Sequence, residues 1–280
     1  MRELHEVLSR TYRSWREDRT LRLGAGLAYY TLFTVLPFGA LFVVLAGSLF
    51  GGADIQVYVV ELLEAMGVAE TDAVAEAVTE LVARQSMRSS LGLLGLGSLL
   101  FAASLVFLAL QDAIQTIWHQ PVRSGLRNSL RRRLVAFIMV LTTVLLIVVS
   151  FAVSAVTGAA RALLPGESGL LNDLADLVTA GTSVLPLAIM LALLYRHLPP
   201  ASVPWKVAAV AASVTALLLV AGTSVIGWLL RSYGGASVTG AFGTLLAVLS
   251  WIYYEAQIIL AGAQLTKVLG SEALGEPWDR

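Results

Sequence analysis

The chain has 280 residues, of which 57% are hydrophobic and only 14% are charged, and its mean hydropathy is +0.78. Soluble chains carry roughly 25% charged residues, so these values exclude a purely soluble fold and place the chain in a bilayer. Nineteen basic residues balance nineteen acidic ones, and cysteine is absent. The zero net charge gives no reason to expect a nucleic-acid partner, and the lack of cysteine excludes disulfides and thiolate chemistry.

The first 22 residues predict a cytoplasmic amphipathic helix. Between residues 4 and 15 the apolar side chains recur at helical spacing, and arginines and glutamates fill the opposite face. Such a helix is typical of a segment that lies in the membrane interface. The face consists of Leu4, Val7, Leu8, Thr11, Tyr12 and Trp15.

Six stretches with almost no charge follow, each 19 to 35 residues long, and only Glu255 interrupts one of them. A helix needs about 20 apolar residues to cross the hydrocarbon core, so each stretch predicts one crossing. The fold class is therefore an all-α integral membrane protein, with one six-helix membrane domain over residues 23–268 and a short cytoplasmic tail over residues 269–280. The predicted spans are about 23–50, 91–118, 134–160, 177–195, 207–230 and 241–267.

The basic residues in the connections predict the orientation. With a cytoplasmic N-terminus, fifteen of the nineteen basic residues fall inside, as the positive-inside rule requires, so both termini face the cytoplasm. The segment 53–89, between the first two spans, then lies outside the cytoplasm and reads as an amphipathic helical segment. Its seven acids are interpreted as a solvated face, with an acidic trap for cations as the alternative.

Polar residues within the spans are the candidate functional residues. Glu255 lies near the middle of the last span, where an ionisable side chain is costly and is by default a functional candidate. It lies about 160° around the helix from a polar stripe, so we expect it to meet another helix or a second subunit. Lining of a passage and simple helix packing both remain open for the striped residues. These are Ser250, Tyr253, Gln257 and Gln264 in the last span, and Ser104, Gln111 and Gln115 in the second, where Asp112 is expected to pair with a nearby arginine.

Two spans contain a proline in similar surroundings. The segment TVLPFG (residues 34–39) in the first span resembles SVLPLA (residues 183–188) in the fourth, and these spans run in opposite directions. Inverted repeats with broken helices are found in transporters, although prolines also occur in spans without a function. Pro37 and Pro186 are therefore predicted helix breaks.

A cluster of arginines follows the second span and is assigned to the inner surface, where anionic lipids account for it better than RNA does. It comprises Arg123, Arg127, Arg131, Arg132 and Arg133. The three histidines, His5, His119 and His197, have no metal-ligand spacing, so no metal is expected. No cofactor or catalytic motif is apparent, and the chain is not expected to be an enzyme.

Five segments taken together resemble the YihY / virulence factor BrkB family of bacterial inner-membrane proteins over residues 21–268. They are AYYTLFTVLP (28–37), IQTIW (114–118), LYRHLP (194–199), WIYY (251–254) and GAQLT (262–266). The chain departs from the family pattern at Thr34, Gln115 and Gln264, where the family usually has Ser, Asn and Glu. The resemblance implies a six-helix inner-membrane protein of unsettled activity. Some members have carried a ribonuclease label, but no cytoplasmic carboxylate cluster or acid and base pair supports a nuclease here.

Among the remaining functions, a transporter or exporter of an amphiphilic or lipid-like substrate is the first expectation. A non-transporting membrane scaffold or envelope-integrity factor is the alternative. Membrane lipids are the expected partners, and a homo-oligomer is left open.

Overall fold

The computed structural model describes residues 2–50, 90–119, 126–163, 169–199, 201–233 and 241–274. These residues form seven α-helices: α1 (Arg2–Glu17), α2 (Thr20–Phe50), α3 (Ser90–Ile117), α4 (Leu126–Leu163), α5 (Gly169–His197), α6 (Trp205–Tyr233) and α7 (Ala241–Leu274). The predicted all-α class agrees with this content. The predicted segment 53–89, Arg123 and the last six residues of the predicted tail lie outside the described residues.

Helices α2 to α7 form a ring in chain order. Each helix packs against the next one, and α7 closes the ring by packing against α2. The amphipathic helix α1 lies against α7 and α2, while its Leu8 and Tyr12 remain exposed. One apolar core joins residues of all six ring helices, among them Leu27, Ile114, Val140, Ala212 and Leu260.

Helix α4 is apolar on both of its faces. Ala136 and Val140 are fully buried against the bundle, whereas a row on the other side is largely exposed. An exposed apolar row is unfavourable in water and favourable in hydrocarbon. The row consists of Leu130, Leu134, Ile138, Leu141 and Leu145.

Three of the described helical segments are long and apolar enough to cross a membrane: Gly97–Ile117 in α3, Leu126–Ala159 in α4 and Trp205–Gly222 in α6. A shorter apolar segment, Val184–His197, lies in α5. The hydrocarbon core holds no water to bond a free backbone group, so continuous helices are the expected solution there.

Both in-span prolines lie inside continuous helices. Helix α2 runs through Pro37 and helix α5 runs through Pro186. Proline removes only one backbone N–H, and the bonds on either side of it can hold a helix together in a membrane. The predicted helix breaks are therefore not interruptions of these helices.

Candidate functional site

A sharp turn between α1 and α2 carries the first element of the site. The N–H of Asp18 bonds the carbonyl of Ser14 at 3.0 Å, and Arg19 adopts a left-handed conformation with φ 51°. This conformation is uncommon for a residue other than glycine. It ends α1 and allows α2 to begin at Thr20. The side chain of Asp18, which lies in this turn, is only 4% exposed.

Two residues from other parts of the chain contact this carboxylate, and a third contacts one of those two. Gln264 of α7 donates from Nε2 to Asp18 Oδ2 at 2.7 Å, and His119 Nε2 lies 2.9 Å from Asp18 Oδ1. Lys267, one turn after Gln264, has its Nζ 3.5 Å from the other imidazole nitrogen, Nδ1 of His119. We call Asp18, His119, Gln264 and Lys267 the Asp18 cluster.

The Asp18 cluster places the imidazole of His119, whose side chain is 53% exposed, between two buried charged groups. Lys267 is 1% exposed and Gln264 is fully buried. The two ring nitrogens of His119 face different groups, Nε2 the carboxylate of Asp18 and Nδ1 the ammonium of Lys267. A buried ammonium needs such a countercharge because its desolvation is costly. The arrangement therefore ties the α1–α2 turn and the end of α3 to α7.

The predicted polar stripe of α7 faces the same α1–α2 segment. Gln257 donates from Nε2 to the carbonyl of Leu21 at 3.5 Å, and Gly24 leaves the space for its amide, since an added Cβ would lie 2.9 Å from Gln257 Cδ. Gln257 and Gln264 thus meet one neighbour, as their heptad spacing predicted. Ser250 is exposed and Tyr253 is half-buried.

The polar face of α3 meets the arginines at the start of α4. Arg132 pairs with Asp112, which confirms the predicted ion pair, and Gln111 donates to the carbonyl of Arg132 at 3.2 Å. Arg133 donates to Ser104 Oγ at 2.9 Å, and its guanidinium lies 3.9 Å from the ring centroid of Phe101.

The arginine cluster is therefore divided by the structure. The side chains of Arg132 and Arg133 contact α3, whereas Arg127 and Arg131 are exposed. Gln115, the last predicted member of the α3 face, is half-buried, and its Oε1 is without a hydrogen-bond partner in the described part of the chain.

Glu255 lies on another side of α7 from the glutamines. Its side chain is half-buried. The adjacent Tyr254 packs against α6, where a Cβ added at Gly222 would lie 2.7 Å from the tyrosine ring. The helical angle separates Glu255 from Gln257 and Gln264, and its expected contact with another helix or a second subunit stays a prediction.

Sequence reasoning missed the Asp18 cluster. The sequence analysis counted Asp18 and Lys267 only as charged residues. It gave His119 no role, because the histidines have no metal-ligand spacing. The departure at Gln264 was the one usable signal, because the structure puts an amide there in contact with a carboxylate. That carboxylate comes from Asp18, 246 residues away along the chain, and local spacing carries no information about such a contact.

The described apolar helices and the resemblance to membrane proteins define a multi-pass, all-helical membrane protein. The family model described as Virulence factor BrkB matches residues 11–278. The chain therefore belongs to this family, which confirms the resemblance seen in its sequence.

The related proteins carry names that give no activity. A UPF0761 membrane protein of Alkalilimnicola ehrlichii is 26% identical over 260 residues, which cover 92% of this chain and 56% of that protein. A UPF0761 membrane protein of Mannheimia succiniciproducens is 23% identical over 283 residues, covering 98% of this chain and 93% of that protein. The chain thus spans little more than half of the first relative and nearly all of the second. No solved structure matches it.

Proposed function

We propose that this protein is a bacterial inner-membrane transporter of an amphiphilic, lipid-like substrate, with six spans, both termini in the cytoplasm and no enzymatic activity. The observation that carries the proposal is the Asp18 cluster. The α1–α2 segment covers the polar stripe of α7 at Gln257 and Gln264. Hydrogen bonds and ionic contacts hold this segment in place. Water can replace polar contacts of this kind when the two partners separate. The α1–α2 segment is therefore suited to moving away from α7.

In the proposed cycle, the α1–α2 segment is a gate over the stripe. The structure is its closed state, in which Asp18 and Lys267 satisfy each other through His119. Separation of α2 from α7 would expose Gln257 and Gln264 to a substrate headgroup. Polar residues buried in a membrane bundle are expected to mark a substrate pathway.

The alternative, a membrane scaffold, is favoured by a different observation. Gln111, Ser104 and Gln264 are buried. The partners of Gln111 and Ser104 lie on a neighbouring helix, and that of Gln264 lies in the turn between α1 and α2. Interhelical hydrogen bonds of this kind stabilise helix packing with no need for a passage. The two functions therefore differ in whether the α1–α2 segment moves.

A reversible cross-link tests this motion. The chain has no cysteine, so the double variant Gly24→Cys/Gln257→Cys carries one unique pair, placed where an added Cβ at Gly24 already meets the Gln257 side chain. We expect oxidation to reduce the protein-dependent movement of labelled lipid across proteoliposome membranes to that of protein-free vesicles, and reduction to restore it. The single variant Gln257→Cys is the control and should not respond to oxidant.

Two results would contradict the proposal: movement of labelled lipids no faster with the wild-type protein than without it, or full movement with the cross-link closed. The first of these favours the scaffold.

The same vesicles test Glu255. Because an acid in a span is a functional candidate, we expect Glu255→Gln to slow lipid movement and to change its dependence on pH. The variant keeps the size of the side chain, so packing should be retained. Unchanged movement with an unchanged pH profile would remove Glu255 from the mechanism.

A further inference from the structure

Arg133 differs from the other arginines at the start of α4 in the direction of its side chain. Arg132 pairs with Asp112, whereas the neighbouring Arg133 reaches Ser104, eight residues earlier in α3. At 1.5 Å per residue, Ser104 and Asp112 are separated by about 12 Å along α3. Both α3 and α4 belong to the apolar segments long enough to cross a membrane. Arg133 therefore reaches along α3 away from Asp112, towards the part of the helix pair that we expect to lie in hydrocarbon.

In the described part of the chain, the groups that contact Arg133 are neutral. Ser104 supplies a neutral hydroxyl at 2.9 Å, and the rings of Phe101 and Phe137 have their centroids 3.9 and 5.9 Å from the guanidinium carbon. Across the described residues, no carboxylate pairs with Arg133. An arginine in hydrocarbon is costly unless an anion or water accompanies it, so the site calls for an anion.

The apolar residues around the site indicate what kind of anion fits. Phe101, Leu130 and Leu134 are 51%, 72% and 56% exposed, and the exposed row of α4 continues from there along the helix. A free inorganic anion would gain nothing from such a surface. A molecule with an anionic head and a long apolar chain would place the head on Arg133 and the chain along the row.

We propose that Arg133, held in place by the buried hydroxyl of Ser104 and the ring of Phe101, binds the phosphate of an anionic membrane lipid where α3 and α4 meet. The planar guanidinium matches phosphate oxygens in a bidentate manner. The inference deepens the proposed function by naming the headgroup that its substrate carries, and it rests on that function only for the identity of the cargo.

The test measures binding and not movement. Purified full-length protein in detergent is titrated with phosphatidylglycerol or phosphatidylcholine, and the bound lipid is counted by native mass spectrometry. We expect the wild type to prefer phosphatidylglycerol and Arg133→Gln to weaken its binding about tenfold, the scale of a lost hydrogen bond to a charged group. Lys206→Gln, which removes an exposed basic residue at the start of α6, outside the arginine cluster, is the control and should bind like the wild type.

Three outcomes would overturn the proposal. These are equal losses in Arg133→Gln and Lys206→Gln, equal wild-type binding of the two lipids, and displacement of phosphatidylglycerol by an equal concentration of inorganic phosphate, which would indicate a free-anion site. If Arg133→Gln does not fold, Arg133→Lys serves instead: we expect weaker phosphatidylglycerol binding with the lipid preference retained, and unchanged binding would contradict a role for the guanidinium. Binding that depends on Arg133 in a protein that moves no lipid would support this inference and reject the proposed function.

Discussion

Asp18→Ala is expected to lower the free energy of unfolding by about 3 kcal/mol, because removal of one partner from a buried ionic network leaves the other uncompensated. The Asp18 side chain is 4% exposed and binds Gln264 and His119. Without it, the ammonium of Lys267, itself 1% exposed, has no buried countercharge in the Asp18 cluster. Unfolding of the purified protein by sodium dodecyl sulfate in mixed micelles measures the change.

A double-mutant cycle separates this charge effect from the loss of packing. In the Asp18→Ala background, Lys267→Met removes the stranded ammonium, so the double variant should be more stable than the sum of the single changes by about 1 kcal/mol or more. Glu17→Ala, an exposed neighbour, should change stability by less than about 0.5 kcal/mol. Strict additivity of Asp18→Ala and Lys267→Met would show that the two charges do not interact through His119.

The helices could be predicted from the sequence because a membrane imposes one local rule. Uncharged runs of sufficient length must become helices, and α3 (Ser90–Ile117) and α6 (Trp205–Tyr233) agree closely with the predicted spans 91–118 and 207–230. Helix α4 begins before the predicted third span. The predicted span begins at 134, yet α4 begins at Leu126, since hydropathy marks where charges stop and the helix extends through the arginines.

The candidate site was predictable only where it depends on the geometry of one helix. The heptad spacing of Gln257 and Gln264 placed them on one face, and both contact the α1–α2 segment. The identity of their partners depends on the turn at Arg19 and on His119, which adopts a left-handed conformation with φ 50° after α3. Neither conformation has a signature in the residue type, because glycine and not arginine is the residue expected there.

Arg133 illustrates the same limit. Its sequence position, next to Arg132 in a basic cluster, predicts a surface residue. The direction of its side chain along α3 is decided by the hydroxyl of Ser104 and the ring of Phe101, which belong to another helix. A charge count assigns Arg132 and Arg133 to one connection, whereas packing gives them different partners, Asp112 and Ser104.

A second large loss of stability is expected for Gly262→Ala. Gly262 of α7 lies against the buried Tyr195 of α5, and an added Cβ would lie 2.9 Å from Tyr195 Cζ and closer still to the hydroxyls of Tyr195 and Thr215. Tyr195 is fully buried and donates its hydroxyl to the carbonyl of Ile259 at 2.8 Å. The ring cannot move without breaking that bond, so overpacking and the lost bond together should cost about 3 kcal/mol.

The position of the glycine, and not the change in helix propensity, should decide the result. Gly158→Ala in α4 is the matched control, because nothing lies within 4 Å of its added Cβ, and alanine is the better helix former by up to about 1 kcal/mol. Tyr195→Phe removes one of the two hydroxyls that the new methyl group would meet, so Tyr195→Phe/Gly262→Ala should unfold at a higher detergent concentration than Gly262→Ala alone. If the double variant were no more stable than Gly262→Ala, the collision with the Tyr195 hydroxyl would not be the cause of the lost stability.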